Sequence, residues 1–142
     1  MSFDLLLNNG TISISSSGEL EIVTGQNKLS QDIIKIIATA SGTNLAHKWY
    51  GSSIPEKIVG SGLRLDLLKT EIVKNIQSCL QNLKSLQEQQ VRAGQVLVPE
   101  EAIATVEGIQ IIGSSDPRDL IIVITIKTRA NNILQEELTL RI

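Results

Sequence analysis

Residues 103–142 read IATVEGIQIIGSSDPRDLIIVITIKTRANNILQEELTLRI. Three runs rich in Ile, Val, Leu and Thr are separated by two turn-forming clusters, GSSDPRD and RANN. β-branched runs bounded by Gly, Pro, Asn and Asp mark short strands joined by tight turns. The spacing therefore predicts strands over 103–112, 120–128 and 133–142, arranged as an antiparallel meander. The middle run is nearly all apolar, the pattern of a strand covered on both faces. The last run is expected at the sheet edge, with a free row of backbone donors and acceptors.

Upstream the period changes. From Leu63 to about Arg92, the residues Leu65, Leu68, Ile72, Ile76, Cys79, Leu83 and Leu86 recur at steps of three or four, with Lys, Gln and Asn between them. That spacing predicts one long amphipathic helix ended by Gly94. Its stripe suits packing on the chain's own sheet better than a coiled coil, which needs more heptads. A second helix is expected over 26–40, where Leu29, Ile33, Ile34, Ile36, Ile37 and Ala40 share one face and Gly42 supplies the stop. Pro55 opens a helical turn, PEKIVG at 55–60. At the start, Asn9-Gly10 lies between two strand-like runs and predicts a tight hairpin, with Ile12 and Ile14 on an apolar face. SSGELEIVTG then forms a turn and a short strand ending at Gly25. The fold class is α+β: N-terminal β-hairpin, amphipathic helices and C-terminal antiparallel β-meander, in a single domain over 1–142.

Composition narrows the chemistry. Hydrophobic residues make up 42% of the 142 residues but aromatics only 2%, so the core must be aliphatic. The net charge of −2 and the interspersed Lys and Arg argue against a nucleic-acid partner. Cys79 is the single cysteine, which excludes an internal disulfide and is compatible with a reducing origin. No apolar run is long enough to suggest a membrane span or a leader. His47 stands alone, so neither a metal site nor a Cys-His nucleophile pair is indicated. Glu100 and Glu101 are adjacent and so point to opposite faces of an extended chain, which is not the facing pair that glycoside hydrolysis needs. GSG at 60–62 and GSS at 113–115 lack a phosphate-binding lysine motif, and DPR at 116–118 reads as a type I turn. Catalytic, cofactor and metal residues are therefore all expected to be none. A scaffold with an open edge favours binding or assembly.

The first half, DLLLNNGTISISSSGELEIVTGQNKLSQDIIKIIATASGTNLAHKWYGS, resembles the opening of the phage baseplate wedge family that includes the sheath initiator of contractile tails. The resemblance rests on Asp4 and Gly10, Gly25, Leu29 and Gln31, Thr39 and Gly42, and the corner Tyr50-Gly51-Ser52, followed by a long helix and a closing meander. Family members usually carry Glu-Pro-Arg before the meander; here VPEEAI offers Glu100 without the Arg. The resemblance implies a structural, non-enzymatic baseplate subunit in the virion tail, assembled in the host cytoplasm and present in multiple copies. The implied partners are the tail-sheath protein and other baseplate wedge and hub subunits, with neither nucleic acid nor membrane among them. Sheath strands would add to the C-terminal sheet at Ile133, Leu134, Gln135, Glu136, Glu137, Leu138, Thr139, Leu140, Arg141 and Ile142. Glu100 and Glu101 would contact a neighbouring wedge subunit. Trp49, Tyr50, Gly51 and Ser52 would form a structural corner, with both aromatics buried. A baseplate or hub subunit of a non-contractile tail without sheath contact is the alternative, and a cell-wall hydrolase ranks behind both. Relatives of this kind were once labelled lysozymes, a label these residues do not support.

Overall fold

The computed structural model describes residues 2–58 and 60–142. The elements run β1 (Asp4–Leu5), β2 (Leu7–Asn8), β3 (Thr11–Ile12), β4 (Ile22–Val23), α1 (Gly25–Ala38), α2 (Ile54–Lys57), α3 (Leu65–Arg92), a 3-10 turn (Pro99–Glu101), β5 (Ile103–Gly113), β6 (Asp119–Thr128) and β7 (Ile133–Arg141). This is the α+β order read from the sequence. Of the expected turn at 55–60, Pro55 and its neighbours fall in α2, and Val59 lies outside the described residues.

Asn9 and Gly10 both have positive φ, 50° and 81°, and pair Asn8 directly with Thr11. Asn-Gly is the sequence that best tolerates this tight turn. A second reversal at Ser15–Glu19 brings β4 back onto β1. Three amides then close a ring: Leu6 N–H donates to Glu21 C=O at 2.9 Å, Glu21 N–H to Ser13 C=O at 3.1 Å, and Ser13 N–H to Leu6 C=O at 2.8 Å. The ring ties the N-terminal strands into a small closed unit. Ile12 and Ile14 do share an apolar face, but that face is turned to solvent: Ile12, Ile14, Leu20 and Ile22 are each more than half exposed. A unit this small has no interior to hold them.

The C-terminal sheet has order β5-β6-β7, all antiparallel. Leu120, Ile122, Ile124, Ile126 and Thr128 are buried, while the intervening residues of β6 are half-exposed. The expectation of a middle strand covered on both faces is therefore corrected. Helices cover only one face, and the outer face of β6 is shielded by side chains of its neighbours rather than by a second layer. Helix α3 spans 28 residues and buries Leu68, Ile72, Ile76, Cys79, Leu80 and Leu83 against α1 and the inner face of the sheet. Helix α1 contributes Leu29, Ile33, Ile36 and Ile37 to the same aliphatic core.

The corner at 49–52 fixes the end of α1. Ser52 N–H donates to Thr39 C=O at 2.8 Å, Ser41 N–H to Ser52 C=O at 2.9 Å, and the Ser52 hydroxyl to Ile37 C=O at 2.6 Å. These contacts satisfy carbonyls that a helix end leaves open. Helix α1 stops at Ala38 because Thr39 turns extended, four residues before the left-handed Gly42 that the sequence suggested as its stop. Tyr50 packs on the edge of the core, but Trp49 is 40% exposed, so only one of the two aromatics anchors. Gly51 has φ +112°, and a Cβ there would lie 2.5 Å from Thr39 C=O. Gly51→Ala should therefore unfold the corner and cost about 2–3 kcal/mol. A melting temperature within a degree of the parent would contradict this close approach.

Candidate interaction site

The strand singled out for partner binding is β7, with Ile142 just beyond it. Nine consecutive residue pairs, from Asp119↔Arg141 to Lys127↔Ile133, join it to β6 without a bulge. At its ends, Ile142 N–H donates to Arg118 C=O at 2.8 Å and Thr128 N–H to Asn132 C=O at 2.9 Å. Even-numbered residues therefore turn their backbone groups to β6, and the alternation of a strand sends those of Ile133, Gln135, Glu137, Thr139 and Arg141 the other way. Among the described residues no strand pairs with that side. The same odd residues carry their side chains on the exposed outer face, while Leu134, Glu136, Leu138 and Leu140 face α1. Glu136 is drawn inward by the Ser30 hydroxyl, which donates to its carboxylate. The apparent irregularity of ILQEELTLRI is thus one polar residue inserted into a regular apolar row.

The opposite edge, β5, differs. Its register with β6 shifts between Ile103 and Thr105 and again between Val106 and Gly108. Bulges twist an edge and spoil it as a template. β7 is the regular edge.

Glu100 and Glu101 sit in the 3-10 turn before β5, not in an extended segment, and differ sharply in burial. Glu100 is exposed. Glu101 is 1% exposed, which removes it as a contact for a neighbouring subunit. Its Oε1 accepts from Gly25 N–H at 3.0 Å, so the carboxylate caps the N-terminus of α1, where the helix dipole favours negative charge. Its backbone C=O accepts from Gln87 Nε2 at 2.8 Å, and Gln87 Oε1 accepts from Ile103 N–H at 2.9 Å. One glutamine on α3 thereby ties the turn to β5.

The titratable groups that share a cleft lie elsewhere. Asp4, Lys28, Asp32, Lys35, His47 and Tyr50 line a cleft of about 740 Å³. Lys28 Nζ meets Asp32 at 2.9 Å, and Lys35 Nζ meets Asp4 at 2.7 Å and Asp32 at 3.9 Å. Burial pushes the Asp4 carboxyl up, but the Lys35 ammonium, the Leu5 amide and Gln31 outweigh it and hold it below its ordinary value. Burial, with Asp32 and Asp4 nearby, pushes the Tyr50 phenol up to about 12. Burial likewise pushes the Cys79 thiol up to about 11, and its Sγ donates to Gly51 C=O. A glycosidase acid needs a carboxyl raised toward neutrality; Asp4 is moved the other way. The cluster binds the N-terminal unit to α1. Gln31 completes that bond, accepting from Leu7 N–H at 2.8 Å and donating to Leu5 C=O at 2.9 Å. Lys28, Asp32 and Lys35 are close in sequence, but the links that join Asp4, Leu5 and Leu7 to α1 span 24 to 31 residues and leave no local signal. Among the described residues no group of His, Cys, Asp and Glu is disposed to hold a metal ion, and no helix is long and apolar enough to cross a membrane.

Together these features define an α+β domain with one blunted and one open sheet edge. No family model matches the sequence, and neither does any curated protein. Among solved structures the chain is similar to a provisionally named tail lysozyme of Geobacter sulfurreducens. The two are 17% identical, the match covers 93% of this chain and 96% of that one, and the TM-score is 0.56. At that identity the likeness is one of fold, extending over nearly the whole chain.

A carboxylate held below its ordinary value stabilises the fold above that value and loses the contribution as pH falls through the lowered one. The attachment of the N-terminal unit should therefore hold above pH 3.8 and weaken progressively below it. In thermal melts across this range, Asp4→Asn should show a shallower acid decline than the parent. Identical profiles would show that the Asp4–Lys35 pair contributes nothing.

Proposed function

We propose that this chain is a structural subunit of a phage tail or a related injection machine, positioned in the baseplate, where β7 accepts a strand from the tail-sheath protein. The observation that carries the reading is the unbulged edge of β7, with the backbone groups of five alternate residues directed away from β6. Strand addition needs such an edge. The fold likeness to a protein provisionally named a tail lysozyme supports the setting, as does the resemblance of the N-terminal motifs to baseplate wedge proteins. In this reading the exposed aliphatic residues of the N-terminal unit dock on other wedge or hub subunits, with Glu100 at the margin of that contact. The long helix, expected from the resemblance to dock on wedge proteins as well, spends its main apolar stripe on the core and offers only its exposed side, with Leu65, Leu67 and Val91, for such a contact. The chemistry is passive: strands are templated and no bond is broken.

Deleting β7 would strip Leu134 from the core and unfold the protein for unrelated reasons. Thr139→Pro is the sharper test, since the Thr139 N–H faces the open edge and proline there leaves the β6 ladder intact. The variant should melt close to the parent and yet fail to nucleate sheath on reconstituted baseplates. Normal sheath assembly on Thr139→Pro baseplates would refute strand addition at β7. Cell-wall zymography serves as a second arm: clearing that Glu100→Gln abolishes would overturn the non-enzymatic reading.

A further inference from the structure

Along the inner side of the open edge runs a groove of about 260 Å³, walled by Ile34, Ile37 and Ala38 of α1, Pro55 of α2, and Leu138 and Leu140 of β7. We propose that this groove recognises side chains of the added strand, and that its occupant is an extended, basic protein segment placing aliphatic residues opposite Leu138 and Leu140 and a Lys or Arg opposite Glu137. The proposal rests on β7 being the strand-accepting edge and adds what that edge selects.

The groove is an unfinished part of the core. On β6, Leu120 and Ile122 are 3% and 2% exposed, yet their cross-strand partners Leu140 and Leu138 are only half-buried, because nothing lies beyond them. Ile34, on the α1 wall, is 39% exposed. A strand added about 4.8 Å beyond β7 sends alternate side chains inward over these residues. At Glu136 the inner row turns polar, so the aliphatic demand is confined to the two positions facing Leu138 and Leu140.

Charge selects the occupant. Arg141 is already met by Asp116 at 3.4 Å and Asp119 at 3.6 Å. Glu137 is exposed and makes no ion pair among the described residues, so the middle of the edge presents an uncompensated carboxylate. Opposite charges directly across strands attract and like charges repel. A second copy pairing antiparallel about the centre of β7 would set Glu137 against Glu137. The register that instead sets Glu137 against Arg141 retains only the last few residues of the strand. A basic partner meets neither obstacle.

The test uses the full-length protein and capped peptides of about nine residues. The first alternates Ile and Thr and carries Lys at the position facing Glu137, and its reversed sequence covers parallel pairing. Binding is followed by fluorescence anisotropy and by amide shifts of Gln135, Glu137 and Thr139. The peptide should shift those three amides. Affinity should fall about tenfold when its two groove-facing Ile become Ser, or when Ile34→Ser is made in the protein. Glu137→Lys should reverse the preference between the Lys peptide and a Glu version. Edge amides that shift while affinity ignores both Ile34→Ser and the Ile-to-Ser peptide would overturn the groove and leave strand addition standing. Amides that do not move would overturn both. A dimer in sedimentation that Ile34→Ser dissolves and the peptide fails to displace would assign the groove to a second copy and overturn the basic partner.

Discussion

Helix α1 is held at both ends by residues remote in sequence, and the rest of the architecture hangs on that fact. Thr24 makes no side-chain cap, and no acidic residue lies in the helix's first turn. The cap comes from Glu101, 76 residues away, and the other end is closed by Ser52. Side-chain caps of this kind are worth on the order of 1 kcal/mol each. More important is what they join. Glu101 brings the start of β5 to α1, Ser52 brings the chain returning from the long loop, and Gln31 acts as a surrogate strand edge for the N-terminal unit. A helix of 14 residues is marginal alone; here it is the piece against which strand unit, sheet and α3 are all set.

Glu101 carries a cost within that role. Its Oε2 is buried with no hydrogen-bond partner among the described residues. Leaving a buried polar atom unsatisfied costs about 1–3 kcal/mol, and more for a charged group, which the helix dipole and the bond to Gly25 offset in part. Gln87 fixes the backbone just after it, holding Glu101 C=O and Ile103 N–H on the two sides of Ala102. α1, α3 and β5 thus meet at one polar knot inside an aliphatic core.

What could be read from the sequence follows from how local each signal is. Asn9-Gly10 dictates its turn by backbone sterics alone, and the three C-terminal strands and α3 follow from periodicity within their own residues. The failures share the opposite property. Gly42 fitted a helix stop, but the stop is made by Ser52, which pairs with Thr39 from across a loop. Glu100 and Glu101 are equivalent as letters; only the three-dimensional position of the α1 N-terminus decides that one is surface and the other internal. Trp49 and Tyr50 are adjacent, and the corner has room against the core for one ring. The β6 run of Ile and Val has the composition of a doubly covered strand, yet its outer residues lie beneath no second layer. Of the candidate site, membership in a terminal strand was legible, whereas the parity of its free backbone groups and the groove beside it required the fold.

The two sheet edges frame the choice between catalysis and assembly. β5 is blunted by two register shifts, in the manner of edges that avoid pairing. β7 has no bulge and no proline, and near its centre Glu137 is exposed and makes no ion pair among the described residues. It also lies over half-buried leucines, so both backbone and side chains are incomplete there, on the same edge. In a protein with no use for pairing, the measures taken at β5 would be expected at β7 as well. The carboxylates of the polar cleft show the reverse condition: each is met by a lysine, and Asp4 is held firmly ionised. Reactive groups are useful when left unsatisfied, and so are binding surfaces. In this chain the charged cleft is satisfied and the β7 edge is not, and that contrast supports the proposed strand addition.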